Sequence, residues 1–282
     1  MKTKSKIGAQ ILRTSAAALP FLWIIVGHSS ARADCVPPPG GLVSWWPGDG
    51  NANDIVSGNN GTLQNGATFG AAGVGHAFFL SKGDANACVQ VANAPGLNPT
   101  GSFSVNAWIF PVADGIGHII AKWGDAAEWA YQRAYSFHTL SGGRLRFSIS
   151  DDANQCNASF HDFDTPEGVI TLNAWNFVAA IYDQSSGTRQ IYVNGVKVAE
   201  RTDAPITITS SIADLGIGAQ VNSPTVFHFP FAGVIDEVAL FNRALSQAEI
   251  QSIYNAGGAG MCNSNSIRPG IPQPPEWQRI GN

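Results

Sequence analysis

Apolar residues recur along this chain with a period of two, the spacing of β-strands, and one stretch near the end shifts to the helical period. Phe103, Val105, Ala107 and Ile109 alternate with Ser104, Asn106, Trp108 and Phe110. Trp175, Phe177, Ala179 and Ile181 alternate in the same way with Asn176, Val178, Ala180 and Tyr182. Both faces of each segment are largely apolar, which predicts buried strands in a two-sheet sandwich. Further strands are expected over residues 42–46, 77–80, 88–91, 134–139, 144–150 and 215–219. Asn60-Gly61, Asn65-Gly66 and Asn194-Gly195 are hairpin signals, because a type I′ turn needs positive φ at both central positions. The third, inside IYVNGVKV, is the clearest.

Residues 231–241 read as a strand covered on both faces, except that Asp236 and Glu237 place two carboxylates where burial needs a reason. A helix follows. Ser246 and Glu249 form a capping box, Leu245 and Ile250 the hydrophobic staple around it, and Gly257 supplies the stop. The pattern as a whole is all-β with one short C-terminal helix.

The ends of the chain change the picture of where it works. Lys2, Lys4, Lys6 and Arg13, an apolar run over 16–26 and the motif Ala31-Arg32-Ala33 are the three parts of a signal peptide, expected over residues 1–33. The mature protein is then expected to start at Asp34, secreted or periplasmic, with no membrane insertion after cleavage. Without the leader, 11 basic residues face 20 acidic ones, a net charge of −9. That balance speaks against nucleic acid and anionic membranes as partners. Residues 34–262 fit one β domain, and residues 263–282, with four prolines and no apolar periodicity, are expected to be a disordered tail.

The run G-x-I-D-E-V-x-L-F-N-R-A-L-S-x-x-E-I over 233–250 follows, in order, GLVSWWPGDGNANDIVSGNNGTLQNGAT (41–68), SFSVNAWIFP (102–111), IIAKW (119–123), WNFVAAIYD (175–183) and IYVNGVKV (191–198). Together these segments resemble the laminin-G-like jelly rolls of the concanavalin A-like lectin/glucanase superfamily. The resemblance covers about residues 36–258 and implies an antiparallel two-sheet jelly-roll sandwich. It says less about function, because that superfamily includes lectin-like binders, adhesion modules, appendages of enzymes and glycosidases.

Two further expectations rest on that resemblance. Cys35, Cys88, Cys156 and Cys262 are an even count for an oxidising compartment and allow three pairings. Jelly rolls bring their first and last strands together, so Cys35–Cys262 and Cys88–Cys156 are the expected bonds. Relatives often hold calcium, and Asp49, Asn51, Asn53 and Asp54 lie in a glycine-rich loop able to supply hard oxygens, with Asp236 implied to join them across the fold. The competing reading is a turn whose Asx side chains bond their own backbone.

For a binding face, the aromatic residues outside the buried strands are informative, since flat rings stack on the apolar faces of sugars beside groups that bond hydroxyls. WGDAAEWAYQRAY contributes Asp125, Trp129, Tyr131, Arg133 and Tyr135, the expected ligand-binding residues. Phe227-His228-Phe229 is a second cluster, and Asp151, Asp152, Asn154 and His161 a third. Catalytic signals are poor. Asp236 and Glu237 are adjacent and so expected on opposite strand faces, Asp162 and Asp164 alternate in what reads as a loop, and the histidines show no zinc spacing. The expected function is therefore a secreted, monomeric, non-catalytic module, calcium-containing and carbohydrate-binding, that meets an extracellular glycan or surface protein. The alternatives are a protein–protein adhesion module without a sugar site, and a divergent glycosidase or polysaccharide lyase on the same fold.

Overall fold

The computed structural model describes residues 35–72, 76–80, 86–151 and 160–263. Its strands are β1 (Leu42–Trp46), β2 (Gly61–Gln64), β3 (Thr68–Ala71), β4 (His76–Leu80), β5 (Cys88–Val91), β6 (Phe103–Pro111), β7 (Gly117–Gly124), β8 (Gln132–Leu140) and β9 (Arg144–Ser150). They continue as β10 (Phe160–Asp164), β11 (Asn176–Asp183), β12 (Thr188–Val193), β13 (Val196–Thr202), β14 (Leu215–Ile217), β15 (Gln220–Ser223), β16 (Val226–His228) and β17 (Gly233–Phe241), followed by helix α1 (Gln247–Ala256). An eight-stranded sheet runs β13-β12-β11-β6-β17-β4-β3, with β1 also on β17, and a seven-stranded sheet runs β10-β9-β8-β7-β14-β5-β2. β15 and β16 form a separate ribbon. The result is the expected antiparallel jelly-roll sandwich.

The inward faces share one core in which Phe78, Phe103, Ile109 and Tyr182 of the larger sheet meet Val89, Tyr135, Phe137 and Phe147 of the smaller one. The larger sheet is apolar on its other face as well. There Trp108, Phe177 and Ile181 pack under Leu245, Ile250 and Ile253, and the Tyr254 ring stacks 5.8 Å from Trp108. This double cover is why β6 and β11 read as largely apolar on both faces. Among the described residues no helix covers the outer face of the smaller sheet, and that difference between the sheets positions the site.

α1 starts as its sequence requires: the Ser246 hydroxyl accepts from Glu249 N–H, and the Glu249 carboxylate accepts from Ser246 N–H. The Arg243 guanidinium also grips Glu249 and helps pull its pKa down to about 2. Asn194 and Gly195, both at positive φ, make the expected hairpin between β12 and β13. Asn65-Gly66 also turns at positive φ but makes no hairpin, because β2 pairs with β5 and β3 with β4 in different sheets. Asn60 instead accepts the Asp54 N–H through its side chain.

The two carboxylates of β17 have separate explanations. Between Asp236 and Ala239 the register against β6 slips by one residue, and Glu237 takes φ +54. At this bulge Asp236 Oδ1 accepts the Glu237 N–H at 2.9 Å, and Glu237 Oε2 accepts the Trp45 indole N–H at 2.6 Å. The simple alternation expected of two adjacent strand residues therefore fails here.

Cys35 and Cys262 are bonded across 227 residues, beside a parallel bridge between Val36 and Met261. Closing so long a loop contributes about 5 kcal/mol on the chain-entropy account. Cys88 corrects the second expected bond: it is a free, fully buried thiol packed with Ala219, Val221 and Phe227, and burial pushes its pKa up to about 12. Cys156, the expected signal peptide and the tail beyond Asn263 lie outside the described residues. No helix among the described residues is long and apolar enough to cross a membrane.

Candidate functional site

On β8 and β9, core packing fixes which side chains face outward. Tyr135, Phe137, Leu145, Phe147 and Ile149 occupy the core, so their alternates Ser136, His138, Arg146 and Ser148 are placed on the opposite face, where Arg146 is partly accessible and the other three are buried. β10 pairs with β9 so that Asp162 stands opposite Ser148 and Asp164 opposite Arg146. Asp162 and Asp164 are thus strand residues sharing one face, where a loop was expected. With Trp123 of β7 and Phe229 of the segment after β16, Ser136, His138, Arg146, Ser148 and Asp162 line a groove of about 200 Å³, and Asp164 bonds Arg146 from outside that lining.

The floor is a hydrogen-bonded pair of imidazoles. Ser136 Oγ lies 3.1 Å from His118 Nδ1 and 2.9 Å from His138 Nδ1, and the rings are 4.6 Å apart. One hydroxyl donates to one ring only, so the other ring carries its proton on Nδ1 and donates to Oγ. Burial drives both pKa values down, that of His138 to about 4; His138 further disfavours positive charge on His118, and Arg146 on His138. Both rings are neutral at pH 7.

One wall is polar. Arg146 donates to Asp162 at 2.6 Å and, through Nε and a second terminal nitrogen, to Asp164 at 2.5 and 2.8 Å, while Ser148 Oγ donates to Asp162 at 2.6 Å. The other wall is aromatic. Trp123 Nε1 donates to Asp125 at 2.9 Å, Arg133 pairs with Asp125, and the Arg133 guanidinium lies 5.3 Å from the Tyr131 ring and 5.8 Å from that of Trp123. Asn222 Oδ1 accepts the N–H groups of Asp125 and Ala126 and so fixes this loop to β15.

Tyr131 and Phe229 are the exposed rings, each 46% accessible, and both have positive φ, 65° and 52°. Such backbone costs a bulky residue about 1–3 kcal/mol. It is held in place by hydrogen bonds from Arg133 N–H to Tyr131 C=O and from His118 N–H to Phe229 C=O.

Of the expected ligand-binding residues, Asp125, Tyr131 and Arg133 come together here, joined by Phe229 of the second aromatic cluster. Two do not belong. Tyr135 is wholly buried, bonds Leu97 C=O at 3.2 Å, and has its pKa pushed up by burial. Trp129, on the short turn Ala127–Trp129, packs against the Cys88–Phe227 cluster and is not among the groove's lining residues. The sequence reading overlooked Trp123, His118, Ser136, His138, Arg146 and Ser148 as site residues. The alternation of Ser136 and His138 with Tyr135 and Phe137 carried that signal. In the third cluster His161 meets Asp151 at 3.2 Å, while Asp152 and Asn154 lie outside the described residues.

At the expected calcium loop, Asp54 is buried and fully engaged. Its Oδ1 accepts the N–H groups of Trp45 and Val56, both at 3.0 Å, and its Oδ2 accepts the Ser57 hydroxyl at 2.7 Å and the Asn59 N–H at 3.1 Å. Burial opposes ionisation, yet these donors leave its pKa below the usual carboxylate value. Asn51 Oδ1 is taken by Asn53 N–H. Asp236 does approach the loop, since a Cβ on Gly48 would sit 3.3 Å from its Oδ1. With four donors on Asp54, the arrangement does not fit calcium ligation through that residue; it fits a turn organised by Asx side chains.

A family model of the concanavalin A-like lectin/glucanases superfamily matches residues 82–251, more than half of the chain. The N,N-dimethylformamidase β subunit of Paracoccus aminophilus is 26% identical over 189 residues, 58% of this chain, which spans only 24% of that protein. Domain 4 of AbnA, an extracellular arabinanase of Geobacillus stearothermophilus solved with arabinotriose, has a TM-score of 0.53 at 19% identity, covering 74% of this chain and 96% of that one. The binding domain of botulinum neurotoxin DC, solved with rat synaptotagmin II, has a TM-score of 0.57 at 18% identity, covering 77% and 51%. At these identities the two structures speak for the fold.

Two predictions follow from the geometry. Asp54→Ala is expected to lower stability in urea by about 3 kcal/mol, equally with excess calcium and with EDTA; a calcium-dependent difference between wild type and variant would restore Asp54 as a ligand. The histidines bind protons in the unfolded chain below pH 6.5 but resist them in the fold. Their contribution is therefore complete above pH 6.5 and declines as pH falls towards 4, by about 1.4 kcal/mol per pH unit for each. Urea melts of wild type and His118→Gln/His138→Gln between pH 7 and 5 check this, and parallel pH slopes would contradict it.

Proposed function

Because the chain belongs to the concanavalin A-like lectin/glucanases superfamily, we propose that it is a secreted, non-catalytic recognition module whose groove on the outer face of the seven-stranded sheet binds carbohydrate. The observation that carries this is the juxtaposition of the exposed Phe229 ring with the polar side chains of β8, β9 and β10 in one groove, beside which the exposed Tyr131 ring lies against Arg133. Rings supply stacking surfaces, and the carboxylates of Asp125 and Asp162 accept hydrogen bonds from sugar hydroxyls. Secretion is supported by the signal-peptide pattern of residues 1–33 and by the Cys35–Cys262 bond. The arabinotriose in the similar arabinanase domain is consistent with a glycan ligand.

A hydrolytic role is disfavoured by the same geometry. A glycosidase acid needs a raised pKa, whereas the Arg146 hydrogen bond holds Asp164 below its usual value. Calcium is not part of this proposal. A second reading, a surface-protein partner, is favoured by the exposed apolar pair Ile116 and Phe229 at the groove, and a similar domain was solved with synaptotagmin II.

The test is a glycan array followed by calorimetric titration. Phe229→Ala is expected to weaken binding about tenfold, the loss of one stacking contact, while Trp129→Ala leaves affinity unchanged. The reverse pattern, with both variants folded, would remove the groove as the site.

A further inference from the structure

We infer that the groove selects neutral glycans and rejects those bearing carboxylates, a claim that rests on the carbohydrate reading above. A site for uronic or sialic acids needs a guanidinium or ammonium open to the ligand, because an anion leaving water must be repaid by a paired cation. Two guanidinium groups reach this groove, and the protein's own carboxylates engage both. Arg146 uses all three of its nitrogens, one terminal nitrogen on Asp162 and the other two on Asp164. Arg133 pairs with Asp125 while its guanidinium lies over the rings of Trp123 and Tyr131.

The formal charges of the lining residues cancel, Arg133 and Arg146 against Asp125 and Asp162. What a ligand meets is not neutral at every point, however. The Asp125 side chain is 36% accessible and that of Arg133 only 11%, so at this wall the acceptor is presented and the cation is covered. The histidine pair adds no positive charge at pH 7, since burial keeps both rings deprotonated. A neutral sugar brings hydroxyl donors to these carboxylates; an anionic sugar brings a like charge.

Calorimetric titration of the purified protein tests this with arabinotriose and maltotriose as neutral probes, and trigalacturonate and 3′-sialyllactose as anionic ones, each at low and high salt. Neutral probes are expected to bind at least about tenfold more tightly, with affinity insensitive to salt because no ion pair forms with the ligand. Asp125→Asn is expected to raise affinity for the anionic probes by uncovering Arg133, narrowing the ratio. Equal or tighter binding of the anionic probes, or binding that weakens steeply with salt, overturns the inference while leaving a carbohydrate site in place. No binding of either set by folded protein overturns the carbohydrate reading itself.

Discussion

The groove exists because β8 and β9 must each bury every second side chain. Tyr135, Phe137, Leu145 and Phe147 are wholly or almost wholly inaccessible and meet the larger sheet across the core, so Ser136, His138, Arg146 and Ser148 have no alternative to the open face. A register slip of one residue would put polar groups into the core, and this constraint ties the chemistry of the site to the stability of the fold. The larger sheet obeys the same period, but α1 covers its second face through Ile250, Ile253 and Tyr254. The apolar side of α1 closes the outer face of one sheet, whereas the buried polar side chains of His118, Ser136, His138 and Ser148 lie on that of the other.

Three buried charges elsewhere are held by donors or acceptors, from distant parts of the chain for Glu237 and Lys122 and from its own loop and β1 for Asp54. Glu237 receives the Trp45 indole at the β17 bulge, tying first strand to last beside the Cys35–Cys262 bond. Lys122, wholly buried, donates to Asn93 Oδ1 at 2.7 Å, to Ser211 C=O at 2.9 Å and to Ala213 C=O, three acceptors for the three protons of an ammonium group. It ties the segment before β14 to the one after β5. Asp54 does the same for its own loop. In each case the charge organises backbone that has no ladder partner, which accounts for charged residues in positions the apolar pattern would exclude.

Local signals were legible in the sequence and distant ones were not. The capping box of Ser246 and Glu249 and the turn at Asn194-Gly195 depend on residues within a few positions, and both form. Asn65-Gly66 shows the limit: its turn forms, but the strands it joins enter different sheets, which local chemistry does not decide. Aromatic type alone does not give direction: Tyr135 is on the core side of β8, half-buried Trp129 packs on the Cys88 cluster, and Trp123, at the start of the same stretch but not named among the expected binding residues, lines the groove. Three of the five expected residues came together because Asp125, Tyr131 and Arg133 share one loop and strand end. Phe229 joined them through the chain's return to β7, a contact between residues more than a hundred positions apart. The free thiol of Cys88 likewise reflects position, at the start of a buried strand.

The proposed binding face is the outer face of the seven-stranded sheet. The most direct test of this proposal is residue-resolved amide chemical-shift mapping by NMR as arabinotriose is titrated into the protein. The account predicts that the largest shifts fall on Ser136, His138, Arg146, Ser148 and the segments carrying Tyr131 and Phe229. Shifts concentrated instead on the far side of the sandwich, around Asp183 and Ser246, or in the loop containing Asp54, would contradict it.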